Sequence, residues 1–228
     1  MGIRERRERD REATRRAILD AARDLFVSEG YQNVSIRKVA ERIEYSPAAI
    51  YGYFPSKDDI FFALAEEGFR LLGDAERAGA HATIGIAPLD RLRAIFGRLY
   101  DFSRQEPQYF ALMFLDRSVP RISREYERFA FAREMKVHLV AEIQQCINDK
   151  LLPETLAPHV VLRLLMVGLL GVTVMRMSNR LGPAEDPDDL AEDVLNVLLA
   201  GLRSGVAVKS IGAVECPIEE QEADAEAS

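Results

Sequence analysis

The sequence predicts an all-α chain, with a small N-terminal helical unit followed by a larger helical body. Three observations predict it. Apolar residues recur at i, i+3, i+4 and i+7 along most of the 228 residues, the spacing that gathers them on one face of a helix. The patterned segments are punctuated by serine, proline and glycine where helices start and stop. Charge is also divided: residues 1–16 carry seven Arg against four Asp or Glu, whereas the chain beyond residue 60 carries 18 bases and 26 acids.

In the N-terminal unit, Ile18, Ala21, Ala22, Leu25 and Phe26 form one apolar face, and Gly30 marks the end of that helix. Ser35 offers an N-cap to a short second helix bearing Ile36, Val39, Ala40 and Ile43. Glu44, Tyr45 and Ser46 leave room only for a tight turn. Ser46 then caps a third helix with Pro47 at its first position, and Pro55 ends it near Phe54. Ser56 and Asp59 form a capping-box pattern for a fourth helix that starts its apolar face with Ile60, Phe61, Leu64 and Ala65. Two short helices joined so tightly make a helix-turn-helix, a unit whose second helix lies in the DNA major groove. The predicted division is a basic arm at 1–11, this unit at 12–60, a helical body at 61–206 and an acidic, disordered tail at 207–228.

In the body, a loop at 81–88 leads to a helix at 88–105, and Pro107 starts a short one. A loop at 117–121 precedes a long helix at 122–152, then come helices at 157–181 and 188–203 joined by the acidic linker 182–189. The run LLMVGLLGVTVM at 164–175 lies between Arg163 and Arg176, too short an interval to span a bilayer. It is read as a helix buried on most sides, with no membrane partner.

Several chemistries find no support. His81, His138 and His159 have no metal-ligand spacing, since Glu142, four residues after His138, gives only one carboxylate beside one histidine. No glycine-rich phosphate loop, G-x-S-x-G or H-E-x-x-H is present, so no enzyme, cofactor or metal site is expected. Cys146 and Cys216 form neither a disulfide framework nor a zinc motif, and reduced thiols in the cytoplasm are the default. The net charge of −7 disfavours nucleic acid, but the basic N-terminal segment on an acidic body fits a nucleic-acid-contacting module.

The stretch SPAAIYGYFPSK at 46–57 carries the functional signal. Ser46, Pro47, Ala48 and Ala49 are small enough for a helix N-terminus to approach base edges closely, and its N–H groups suit a phosphate. Tyr51 and Tyr53 each combine a phosphate-seeking hydroxyl with a ring able to meet a thymine methyl; the alternative is that they pack within the domain. Lys57 opens a helix, where the dipole disfavours a cation; a phosphate would explain it, or the side chain is simply solvated.

Residues 14–64 resemble the DNA-binding domain of TetR-family transcriptional regulators. The resemblance is carried by Ile18, Ala21, Ala22 and Phe26, by Gly30-Tyr31, Ser35-Ile36 and Val39-Ala40, and by the run 46–57 with Ile60 beyond it. One departure is visible: the family has Ala-Gly-Val in the turn where this chain has Ile43-Glu44-Tyr45. A left-handed Glu44 would cost roughly 1 kcal/mol. The resemblance implies phosphate contacts from Ser35, Arg37 and Lys57, with Ser46, Pro47, Ala48, Ala49, Tyr51, Gly52 and Tyr53 as the recognition surface on double-stranded DNA. Residues 4–16 either add DNA contacts or form a solvated helix extension.

The resemblance also implies a ligand-binding and dimerisation body. The last helix has one face of Leu190, Val194, Val197 and Leu198 and another of Leu195, Leu199 and Leu202. With the preceding helix it would form half of a homodimer interface matching a palindromic operator, or else fill a monomeric core. Phe96, Tyr100, Phe110, Met113, Phe114, Met135, His138 and Met166 are candidates for lining a cavity that takes an apolar or aromatic effector, or are ordinary core. The expected function is a dimeric, ligand-released repressor; the alternative is a helical protein-interaction module that does not bind DNA.

Overall fold

The computed structural model describes residues 2–80, 85–115 and 130–209. Every regular element among them is helical. α1 (Ile3–Glu29) begins far upstream of its apolar face. Arginine and glutamate are good helix formers, Gly2 N donates to Glu5 Oε2 at 3.0 Å, and Arg6 lies 4.0 Å from Asp10 one turn on. Residues 4–16 are thus the first half of a continuous helix. A short turn (Tyr31–Asn33) leads to α2 (Ile36–Arg42), α3 (Pro47–Tyr51) and α4 (Lys57–Ala80). Ile18, Ala22, Val39, Ala40, Ile50, Ile60, Phe61 and Leu64 are completely buried between them.

Glu44 is left-handed, at φ 60°. It stands where a Schellman cap requires that conformation: Tyr45 N donates to Ala40 O at 2.9 Å and Glu44 N to Glu41 O at 3.3 Å. The turn therefore keeps the glycine geometry without the glycine.

The body comprises α5 (Pro88–Gln105), α6 (Pro107–Phe110) continued by a π-helical turn (Ala111–Leu115), α7 (Ala130–Asn148), α8 (Pro158–Met177) and α9 (Pro187–Arg203). Two helices end earlier than their apolar patterns suggest. α7 stops at Asn148 and α8 at Met177 because Lys150 (φ 58°) and Asn179 (φ 52°) are left-handed, with Leu151 N reaching Cys146 O and Arg180 N reaching Met175 O, both at 2.9 Å. The predicted loop at 117–121, the first part of the long helix (122–129), most of the loop after α4 (81–84) and the acidic tail from residue 210 lie outside the described residues.

α8 bears on two expectations. Its helix runs through Arg163 and is 20 residues long with mean hydropathy 2.0, so by length and composition it could cross a membrane. It is also buried on one side only, against α5, α7 and α9: Val167 is 61% exposed, and Val174 and Met175 are exposed too. On the inner side, Arg176 Nη2 donates to Ser103 O at 2.8 Å and to the buried Ser103 Oγ at 2.9 Å.

One core runs through both units, with α4 shared by each. A polar joint crosses the same boundary. Tyr109 of α6 is buried, and its hydroxyl accepts from Arg16 Nη2 at 3.3 Å and Arg23 Nη1 at 3.4 Å, both on α1. Arg16 in turn pairs with Asp20 at 2.7 Å and with Glu67 of α4.

Candidate nucleic-acid interface and ligand cavity

Two serines build the outer surface of the helix-turn-helix. Ser35 Oγ accepts from Lys38 N and Ser46 Oγ from Ala49 N, each at 3.2 Å, so both are N-caps. Both are exposed, as are Arg37, Pro47, Ala48 and Gly52; Ala49 is half-buried. Arg37 makes an exposed ion pair with Glu41 at 2.9 Å, a weak restraint that a phosphate can replace.

The two tyrosines divide. Tyr51 is 55% exposed and stands on the outer face of α3, opposite the buried Ile50. Tyr53 is half-buried, with Arg11 of α1 6.0 Å from its ring centre. Arg15 lies 5.3 Å from the ring centre of Phe54 in the same way. Arg4, Arg7, Arg11 and Arg15 follow i, i+3, i+7 and i+11 on α1, so the stripe that reaches the end of α3 continues outward along exposed helix.

Lys57 is placed differently from a solvated phosphate anchor. Its Nζ donates to Tyr31 O at 2.9 Å and sits 4.0 Å from the Tyr31 ring centre. Tyr31 also packs on Phe26 and Phe61 and donates its hydroxyl to Asp58; burial, with that carboxylate, pushes the hydroxyl pKa upward. A carbonyl and a ring thus balance the cation at the start of α4, and Lys57 has a structural task whatever else it touches. Ser56 and Asp59 cap that helix: Asp59 N donates to Ser56 Oγ at 3.1 Å, and Ser56 Oγ donates to Asp59 Oδ2 at 2.7 Å.

In the body, a cavity of about 240 Å³ opens between α4, α5, α7, α8 and the π-helical turn. Phe96, Phe114, Met135 and Met166 line it, as expected from sequence. Tyr100, Phe110, Met113 and His138 do not. Tyr100 points its hydroxyl to Asp188 Oδ1 at 2.9 Å, Phe110 stacks behind Phe114, Met113 fills the space left by Gly68, and His138 is on the exposed side of α7. Sequence periodicity misses Ile95, Arg98, Leu99, Lys136, Leu139 and Leu162 on the lining. The aliphatic ones look like any core residue, and the two cations do not belong to an apolar pattern. Among the described residues no three His, Cys, Asp or Glu side chains gather to hold a metal.

An exposed, N-capped α3 on a helix-turn-helix, joined through α4 to a helical body with a cavity, is the architecture of a helix-turn-helix regulator with a second helical domain. Residues 18–64 match the model of bacterial regulatory proteins of the tetR family, and residues 92–198 match that of the tetracyclin repressor-like C-terminal domain. The chain belongs to the TetR family of DNA-binding transcriptional regulators, which are not enzymes. It is 42% identical over 71 residues to the HTH-type transcriptional repressor Rv1474c of Mycobacterium tuberculosis, covering 31% of this chain and 35% of that protein. It is 33% identical over 94 residues to the repressor KstR of the same organism, 41% of each chain. The chain thus spans well under half the length of these relatives. The fold is similar to that of the regulator FadR from Bacillus subtilis, solved in complex with stearoyl-CoA: TM-score 0.65 at 18% identity, over 81% of this chain and 97% of that one.

Proposed function

We propose that the protein is a dimeric, cytoplasmic repressor that binds a palindromic operator through α3 and leaves it when a small effector with an apolar or aromatic body occupies the cavity. The observation that carries the reading is the surface of α3: a capped N-terminus with small residues, then an exposed Tyr51. Such a helix end can approach base edges, while Ser35, Ser46, Arg37 and the outward Arg stripe of α1 meet phosphates on either side.

Dimerisation is supported by the open faces of α8 and α9. Val167, Val174, Met175 and the 70%-exposed Val197 are apolar and are left open by the described residues. Two such faces related by a two-fold axis would bury each other and set the distance between two α3 helices. An effector acts by favouring one spacing over another, in proportion to its differential affinity for the two states. A contiguous route exists: Phe114 lines the cavity, packs on Phe110, and α6 carries Tyr109 onto Arg16 and Arg23 of α1.

Replacing Tyr51 by Ala tests the interface. Operator affinity at fixed salt is expected to fall roughly tenfold or more, with the melting temperature unchanged because the side chain is largely in solvent. Unchanged affinity would remove α3 from the contact. Lys57→Ala is a poorer probe, since it also unclasps Tyr31.

A further inference from the structure

We propose that the effector is an organic monocarboxylate with an apolar body, and that Arg98 receives its carboxylate. This rests on the cavity being the effector site. Among the described residues the lining is apolar except for Arg98 and Lys136, and none of them is acidic. Arg98 therefore meets no counter-charge among the described residues of the lining.

Arg98 is the unusual member. Five described arginines have a buried Nε without a hydrogen-bond partner: Arg23, Arg91, Arg93, Arg98 and Arg176. Four of them have a partner close by, Arg23 with Asp20, Arg91 with Glu142, Arg93 with Asp90 and Arg176 with Ser103. Among the described residues Arg98 has none on any of its nitrogens. A guanidinium with a desolvated N–H and no acceptor is costly. A planar carboxylate is the group whose two oxygens match its fork.

Size narrows the body. A cavity of about 150 Å³ accepts benzene, with six non-hydrogen atoms, so 240 Å³ accommodates roughly ten. Phe69, Leu72, Phe96 and Leu162 give it an apolar wall. A medium-chain or aryl-substituted acid fits both the volume and the charge; a neutral hydrocarbon fits only the first, and leaves Arg98 unpaired.

The test is thermal denaturation of the full chain with octanoate, 1-octanol, octylamine and octanoyl-CoA, for wild type, Arg98→Met and Arg93→Met. Octanoate should raise the wild-type melting temperature saturably, with octanol and octylamine far weaker. Arg98→Met should melt no lower than wild type without ligand, since it loses an unpartnered polar group, yet bind octanoate roughly tenfold or more weakly. Arg93→Met, whose guanidinium pairs with Asp90 outside the cavity, should bind as wild type does. Octanol equal to octanoate, or Arg98→Met binding octanoate normally, would overturn the carboxylate while leaving the cavity as an effector site. Octanoyl-CoA binding in place of octanoate would overturn the free acid. No stabilisation by any of the four would overturn both the acid and the effector role of the cavity.

Discussion

Glu44 holds a conformation that belongs to glycine, at the one point where the helix-turn-helix cannot do without it. The two hydrogen bonds of its Schellman cap fix the angle between α2 and α3, so the strain is retained rather than relieved. Glu44→Gly is expected to stabilise the protein by at most about 0.5 kcal/mol, the left-handed penalty less the entropy glycine loses on folding; urea denaturation measures it. Tyr100 gives a second prediction at this scale. Burial first, then the bond and charge of Asp188, push its hydroxyl up to about 12. The unfolded chain ionises near pH 10, so the stabilisation is complete below that and lost as pH rises from 10 to 12. Tyr31 and Tyr109 shift the same way. Tyr100→Phe should therefore flatten part of that alkaline loss, read as melting temperature against pH. The sequence exposed the conflict at Glu44, because the residue type clashes with the turn length. It could not show Lys57 clasping Tyr31, a contact between residues 26 apart that no local pattern encodes.

Among the elements, the short helices of the N-terminal unit were legible and the ends of the longer ones less so. Ser35, Ser46, Pro47 and Ser56 announce α2, α3 and α4 directly. α7 and α8 end at Lys150 and Asn179, residues that do not signal a stop as glycine does, while their apolar patterns continue past the cap. The start of α1 was open for another reason: residues 4–16 have no apolar face, and their helix rests on propensity and ion pairs. α8 was misread as buried on most sides because an apolar sequence does not say which molecule covers it. Its inner packing is close: a Cβ at Gly168 would lie 2.6 Å from Leu198 and 2.8 Å from Val194, so α8 and α9 form one slab. Val197 of α9 is 70% exposed. Val197→Glu is expected to convert a dimer into a folded monomer by light scattering, since a charge in an apolar interface has no partner. A variant still dimeric would move the interface elsewhere.

At the scale of the molecule, the helix-turn-helix and the cavity are two ends of one core. α4 belongs to both units, and the Arg16–Tyr109–Arg23 joint ties α1 to the helix beside the cavity. The charge division read from sequence, basic at the N-terminus and acidic in the body, also assigns the ends: the arginine stripe of α1 extends beyond α3 and would raise the salt dependence of DNA binding. The cavity was only half legible, because the side chains that line a cavity are the types that fill a core, and its cations lay outside the apolar pattern. The measurement that tests the central claim most directly is selection of bound sites from a random duplex DNA pool at moderate salt. The account predicts enrichment of a two-fold palindrome whose half-sites are a helical turn or a multiple of it apart. A folded, effector-free protein that enriches no sequence, or one without two-fold symmetry, would contradict it.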